Sequence, residues 1–339
     1  MIGGILMGLN RKKVLCLDSI SKRMEILIME QLSKEIDIVF CKDKKDWEKH
    51  IRTANVLITF THGISKEWIE KADDCVFIQK LGAGINNIDL VEASKRKIPV
   101  ANAPGLNSTA VAEHSVILML SVFKHLVTAH NYIVHKGEWL KTQLRDHSYQ
   151  LSYKKVGLIG FGNIGREVCR LLKGFECEIS YYDTYRLSNE KEAELGVSYK
   201  NLDKLIQESD VVSLHVPLNS GTYHLVNKER LLLMKETAVL INTCRGGVID
   251  EDALYDVLKS GRLTGAGLDV FETEPIEKDN KLASLPNVIL TPHIGGGTNE
   301  AMEAVIQKAC LNINSVLSNG KLPNEKDIVN FNELQSCSI

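Results

Sequence analysis

Three residues stand out for the chemistry their types allow. Arg245 lies in "NTCRGGVID", Glu274 in "LDVFETEP" and His293 in "LTPHIGGG", each just past a short apolar run. An arginine's planar fork grips a carboxylate bidentately and polarises a neighbouring carbonyl. A histidine titrates near neutral pH, so it gives or takes a proton there. A nearby glutamate favours the charged imidazolium and fixes the ring's orientation. Each residue alone has an ordinary explanation: a surface ion pair, a solvated loop acid, a core or capping histidine. Together, past the carboxyl ends of successive strands, they sit where open α/β sheets bind ligands. The other histidines keep the ordinary explanation. His215 in "LHVP" reads as structural, and His114 in "AEHS" as a residue on a packed helix.

A second stretch supplies the other half of a reaction. "KKVGLIGFGNIGREV", residues 154–168, places Gly160, Gly162 and Gly165 in the G-x-G-x-x-G spacing between an apolar run and a helical tail. This is the strand-turn-helix setting of the dinucleotide fingerprint. Gly160 permits the tight turn, Gly162 lets a pyrophosphate approach the main chain, and Gly165 lets the helix pack close to the strand. The helix, expected from about Asn163, points its free N–H groups at the phosphates. Asp183 closes the next run, "EISYYD". An acid there accepts from the adenosine ribose hydroxyls and repels a 2′-phosphate, which favours NAD over NADP. Arg186, three residues on, leaves that preference open. A nicotinamide cofactor calls for a hydride partner and a proton carrier, the role open to His293.

These residues need a frame. "VLCLD" (14–18), "IDIVF" (36–40), "NVLITF" (55–60), "CVFIQKLG" (75–82) and "IPVANA" (98–103) are short and rich in β-branched residues, with helical segments between several of them. "KKVGLIGFG", "EISYYD", "DVVSLHVP", "AVLINTC", "GAGLDV" and "NVILTP" form a second series. Strands alternating with helices imply parallel sheets. The expected fold is α/β: two doubly wound, Rossmann-like domains, the first with about five strands and the second with about six. A long helix is expected over 107–134, capped by Asn107 or Ser108, and an amphipathic one over 299–320. The first domain lacks a closing helix, so the last helix is free to return to it.

Composition narrows the class. The 339 residues suggest two domains, with 44% apolar and 25% charged residues. A net charge of -2 gives no basic field for nucleic acid or an anionic membrane. The eight cysteines show no C-x-x-C spacing, so neither a metal site nor a redox dithiol is signalled. Reduced thiols in a cytoplasmic protein are the simplest expectation. Residues 1–11 read as a loose leader, with Met7 as an alternative start. No apolar run is long enough to span a membrane.

At this point the chain resembles the D-isomer-specific 2-hydroxyacid dehydrogenases. They include glyoxylate and hydroxypyruvate reductases, D-lactate dehydrogenases and phosphoglycerate dehydrogenases. The resemblance runs from about residue 13 to about 325, through "LGAGINNIDL", "STAVAEHS", "GLIGFGNIGREV", "SDVVSLHVPL", "INTCRGGVIDEDAL", "GAGLDVFETEP" and "LTPHIGG" in the family's order. It implies that Arg245 binds the substrate carboxylate and keto oxygen, and that His293 is the acid/base paired with Glu274. It gives the main-chain N–H groups of Gly82, Ala83 and Gly84 the remaining carboxylate contacts. Asn163 and Ile164 would meet the pyrophosphate of NAD and Asp183 the ribose. Val216 and Pro217 would flank the cofactor, Thr243 and Cys244 would pass beside it, and Asp269 would orient the nicotinamide amide.

The resemblance also implies a discontinuous substrate domain, 12–103 with 295–332, and a cofactor domain at 104–294, with the active-site cleft between them. A dimerisation arm near 120–150 would join two copies. Cys244 stands where Ala or Ser is commoner, and "DHSYQLSYKKVG" lacks the family's usual glycine before the first cofactor strand. The implied activity is hydride transfer between NAD(H) and a small 2-oxo or D-2-hydroxy acid, glyoxylate or hydroxypyruvate preferred. The alternatives are a 3-phosphoglycerate dehydrogenase without the appended regulatory domain and an NAD(H)-sensing, corepressor-like binding protein. The intact Arg245, Glu274 and His293 set speaks against a sensor.

Overall fold

The computed structural model describes residues 11–336. The expected leader, with Met7, lies almost wholly outside the described residues. The chain divides into two compact units. One runs to Asn107 and resumes at Asn299; the other is Ser108–Thr298. The joints fall a few residues beyond 103/104 and 294/295.

In the first unit five parallel strands are β1 (Lys12–Cys16), β2 (Ile36–Phe40), β3 (Val56–Thr59), β4 (Phe77–Lys80) and β5 (Val100–Ala101). Their order is β2-β1-β3-β4-β5. β3 and β4 are buried along their whole length, which is why they read as unbroken apolar runs rather than alternating ones. The helix Asn299–Asn319 does return to this unit. Val305, Ile306, Ala309, Cys310 and Ile313 pack with Val14, Val56, Ile58 and Phe77. Beyond it, the β5 edge is covered: Val100 N–H donates to Asn330 Oδ1 at 2.9 Å, and Val329 N–H to the Val100 carbonyl at 2.8 Å. A covered edge leaves no template for a foreign strand.

In the second unit the strands are β6 (Lys155–Ile159), β7 (Glu178–Tyr182), β8 (Val197–Tyr199), β9 (Val211–Leu214), β10 (Val239–Asn242), β11 (Gly265–Leu268) and β12 (Val288–Leu290). The order β12-β11-β10-β9-β6-β7-β8 is all parallel. It reverses between β6 and β9, the switch point at which such sheets bind ligands. Six strands were expected here. The seventh, β8, covers three residues and carries too little apolar pattern to show in sequence.

The long helix expected over 107–134 is broken. Ser108–Phe123 is one buried helix, and the chain then bends by 63° into Leu126–Lys136. His125 sits at φ +50°, in the left-handed region. Its ring meets the His147 carbonyl at 3.0 Å, and Tyr149 N–H caps the Phe123 carbonyl at 3.0 Å. The apolar pattern continues across the bend, so the sequence could not show it. Among the described residues no single helix is long and apolar enough to cross a membrane.

Candidate active site

The glycine loop follows β6. Gly160 adopts φ +94°, and a Cβ there would lie 2.4 Å from the His215 carbonyl oxygen. A Cβ on Gly165 would lie 2.3 Å from the Gly160 oxygen. Both glycines are therefore demanded by the protein's own packing. Gly162 differs: its Cβ would meet nothing within 4 Å. It stands at the N-cap of the helix Asn163–Leu172 and offers no capping side chain. The first-turn amides, Asn163 and Ile164 among them, have no partner from within the helix. An open glycine before bare amides fits a dinucleotide's pyrophosphate. Asp183, just after β7, accepts the Phe161 N–H at 2.7 Å through Oδ2 and the Tyr185 N–H at 3.0 Å through Oδ1. The acid expected at the ribose thus also fixes the glycine loop.

On the other side of the switch point, β9 runs into His215, Val216 and Pro217. His215 Nε2 pairs with Ser213 Oγ at 2.9 Å, while its Nδ1 is buried without a partner. Burial pushes the ring down to about 3, so it stays neutral.

After β10, Asn242 clamps the turn. Its Oδ1 accepts the Cys244 N–H at 3.0 Å and its Nδ2 donates to the Arg245 carbonyl at 2.9 Å. Thr243 pairs with Ser115 at 2.8 Å. Burial pushes the Cys244 thiol up to about 11. Arg245 is half-buried and extended. A Cβ on Gly246 would lie 1.8 Å from the Phe271 carbonyl carbon. The Arg245 turn and the segment leading to Glu274 are therefore pressed together, backbone to backbone.

Glu274 and His293 meet at 2.7 Å, Oε2 to Nδ1. The other oxygen of Glu274 accepts the Phe271 N–H at 3.0 Å. Burial raises the carboxyl pKa. The bonds from His293 and Phe271, with the nearby charge of Arg245, outweigh that and leave it below the usual value. The pair is not sealed in: the His293 side chain is 50% exposed and that of Glu274 36%, leaving the ring accessible to a ligand.

His293 itself stands at φ +53°, a conformation that costs a non-glycine residue energy and persists only when its surroundings impose it. The surroundings are Asp269, 1% exposed. Its Oδ1 accepts the Thr291 hydroxyl at 2.6 Å and the Ile294 N–H at 2.9 Å; its Oδ2 accepts the Gly295 N–H at 2.8 Å. His293 N–H donates to the Asp269 carbonyl at 2.9 Å. Burial raises the Asp269 pKa, but these bonds and one from His114 bring it below the ordinary value. His114 also meets Thr291 Oγ1 at 2.9 Å. It is on a packed helix, as its sequence reads, yet its ring belongs to the cluster that shapes the His293 turn. Asn242, Thr291 and this use of His114 were missed in sequence: Thr291 and His114 act through contacts far along the chain, and Asn242 through a local side-chain clamp that carries no pattern.

In the first unit Gly82 stands at φ +139° after β4. Its carbonyl accepts the Ala103 N–H at 2.9 Å, and that of Ala83 accepts Asn102 Nδ2 at 2.7 Å. Beside it, buried Asp18 accepts the N–H groups of Phe60, Thr61 and His62 at 2.6, 2.7 and 2.9 Å, and pairs with His62 Nδ1 at 3.0 Å. Asn87 then ties the 82–87 loop to the same segment by donating to the Thr61 and His62 carbonyls. The sequence showed Asp18 only as the end of a strand.

Residues 116–295 match the family model described as D-isomer specific 2-hydroxyacid dehydrogenase, NAD binding domain. The chain belongs to the D-isomer-specific 2-hydroxyacid dehydrogenase family. A glyoxylate reductase of Thermococcus litoralis is 40% identical over 292 residues, 84% of this chain and 86% of that protein. A hydroxypyruvate reductase of Thermotoga maritima is 38% identical over 291 residues, 85% and 92% of the two chains. Among solved structures, an NADPH-dependent glyoxylate/hydroxypyruvate reductase of Sinorhizobium meliloti, in complex with NADP and malonate, superposes with a TM-score of 0.80 at 25% identity, covering 94% of this chain and 97% of that one. The D-2-hydroxyacid dehydrogenase fold here is thus that of a nicotinamide-dependent oxidoreductase. An NAD-dependent formate dehydrogenase of Staphylococcus aureus, in complex with NAD, superposes with a TM-score of 0.83 at 28% identity, covering 94% of this chain and 98% of that one, so similar structures carry either NAD or NADP.

Proposed function

We propose that this protein reduces a small 2-oxo acid to its D-2-hydroxy acid, with glyoxylate or hydroxypyruvate as the preferred substrates and NADH as the reductant. The observation that carries this is the 2.7 Å His293–Glu274 pair, exposed on one side and within the field of Arg245. Gly162, Asn163, Ile164 and Asp183 are assigned to the pyrophosphate and ribose of the cofactor, with Gly160 and Gly165 shaping the loop that binds it. Val216, Pro217, Thr243, Cys244 and Asp269 are assigned to its nicotinamide half. A bound reduced nicotinamide supplies the hydride. Arg245 holds the substrate carboxylate and draws electron density from the 2-oxo group, while the amides of Gly82, Ala83 and Gly84 take further carboxylate contacts. His293 gives its Nε2 proton to the oxygen as negative charge develops there, and Glu274 fixes Nδ1 and balances the imidazolium. In the oxidative direction neutral His293 takes the proton back.

The substrate domain is assigned to the unit ending at Asn107 and resuming at Asn299, and the cofactor domain to Ser108–Thr298. We place the protein in the cytoplasm on the strength of its cysteines: all seven described ones are free and six are buried. A homodimer through the 120–150 arm is supported by its exposed apolar side chains, with Leu126 57%, Val134 57% and Trp139 75% exposed.

The test is a panel of 2-oxo acids with NADH: glyoxylate, hydroxypyruvate, pyruvate and 3-phosphohydroxypyruvate. Highest kcat/KM with one of the first two is expected. Best turnover of the phosphorylated acid would favour the phosphoglycerate activity instead. Turnover no better than buffer with all four would favour a binding protein.

A further inference from the structure

Arg186 follows Asp183 by three residues, close enough in sequence to meet a phosphate on the adenosine ribose. The structure holds it elsewhere. Its Nε donates to Glu192 Oε1 at 3.0 Å, and its Nη2 to Glu192 Oε2 at 3.3 Å and Asn189 Oδ1 at 3.3 Å. The guanidinium lies 5.1 Å above the Tyr199 ring of β8. Glu192 is anchored in turn. Its Oε1 accepts the Tyr181 hydroxyl at 2.9 Å, Tyr181 is fully buried, and the same phenolic oxygen accepts the Leu187 N–H at 2.8 Å. The Glu192 side chain is 12% exposed against 54% for Arg186. A surface arginine is thus gripped along its Nε–Nη2 edge by an acid fixed to the core.

We propose that Glu192 is a specificity-determining residue for the cofactor. It holds Arg186 against the Tyr199 ring of β8 and so withholds the cation that a 2′-phosphate needs. Dinucleotides with a free 2′-hydroxyl lose nothing by this. Those with a 2′-phosphate bring about two negative charges to the carboxylate of Asp183, while the Nε–Nη2 edge of the arginine that would pair with a phosphate is already bonded to Glu192. Exclusion of NADP thereby rests on two acids: one repels the phosphate, and the other occupies its natural partner. This rests on the assignment of Asp183 to the adenosine ribose, and the two are tested apart below.

Dissociation constants for NADH and NADPH are measured by isothermal titration calorimetry on the full chain, with no turnover involved. The variants are Asp183→Ala, Glu192→Gln, Arg186→Ala and Glu192→Gln with Arg186→Ala. Glu192→Gln keeps an acceptor for Tyr181. It is expected to tighten NADPH by about twofold to fivefold, the scale of one exposed ion pair, with NADH unchanged. Arg186→Ala alone should leave NADPH within about twofold, because the arginine is already engaged, and in the double variant it should erase the gain. A gain that survives in the double variant overturns the proposal, as does a Glu192→Gln protein that binds NADPH no better than wild type. If Glu192→Gln fails to fold, Arg186→Ala decides: NADPH binding weakened by more than about threefold shows that Arg186 already serves the phosphate and overturns the latch. Asp183→Ala reports separately. A relaxed NADH/NADPH ratio there with no effect of Glu192→Gln sinks the latch alone. An unchanged ratio in Asp183→Ala removes Asp183 from the ribose and the latch with it.

Discussion

Gly162→Ala and Gly165→Ala separate a glycine kept for a ligand from one kept for the fold. The two positions lie in one loop and gain the same methyl. At Gly165 the new Cβ would sit 2.3 Å from the Gly160 carbonyl oxygen, a main-chain atom that cannot turn aside. Overpacking of this kind costs about 1–3 kcal/mol, or roughly 2–10 °C in Tm for a unit of this size. At Gly162 the Cβ meets nothing within 4 Å and φ is -76°, which alanine adopts freely. The only expected folding cost is the weaker N-cap, about 0.5 kcal/mol or less relative to glycine. The same methyl, however, stands where a pyrophosphate must touch the main chain. NADH affinity should fall at least about tenfold, about 1.4 kcal/mol. Differential scanning calorimetry gives the first quantity and fluorescence titration of NADH the second. Gly162→Ala should bind poorly and melt normally. If it binds NADH as wild type does, the space over Gly162 is not the cofactor's, and the assignment of the loop to a pyrophosphate is wrong.

The remaining perturbations address the chemistry and its support. His293→Ala should lower kcat by about 10² to 10⁴ while NADH still binds, as for a lost general acid; loss of NADH binding in parallel would make His293 a structural residue. Glu274→Gln keeps the shape but removes the charge beside Nδ1, and kcat should fall about tenfold or more with little change in KM. Arg245→Lys keeps the charge but not the fork, so KM for the oxo acid should rise and kcat fall together. In the first unit, Asp18 is held at about 2 against an ordinary 3.8: burial raises it, and hydrogen bonds from Thr61, Phe60 and His62 more than offset that. The folded pKa is depressed, so the stabilisation is present above the ordinary value and is lost as pH falls through about 2. It amounts to about 2 kcal/mol. Asp18→Asn should lose about that much stability at pH 7 and flatten the acid limb, read from urea unfolding at a series of pH values.

Much of this site was legible because its parts are local. The glycine loop announces itself through spacing, and Gly160, Gly162 and Gly165 could be given separate jobs before any geometry was known. Arg245, Glu274 and His293 could be picked because each follows an apolar run that ends a strand. What stayed hidden depends on contacts between distant segments. The family resemblance marks Asp269 only as an acid near the cofactor; the fold shows that its two oxygens carry the turn bearing His293. Asn242 stayed hidden for a different reason: its amide bridges Cys244 and Arg245 next to it in the chain, a turn clamp that leaves no mark on the apolar pattern. The break at His125 was invisible for another reason. The apolar pattern runs through it, and a left-handed residue leaves no mark on hydrophobic periodicity. β8 was missed because three residues at a sheet edge carry too little pattern to register.

Arg245, Glu274 and His293 are assigned the interconversion of a 2-oxo acid and the D-isomer of its 2-hydroxy acid. The most direct test is oxidation of D-glycerate and L-glycerate with NAD, followed as NADH formation, in the wild-type protein and in His293→Ala. Expected are oxidation of D-glycerate by the wild type, little or none of L-glycerate, and a D-glycerate rate reduced by about 10² or more in His293→Ala. Equal oxidation of the two isomers, or D-glycerate oxidation that survives the loss of His293, would contradict that assignment.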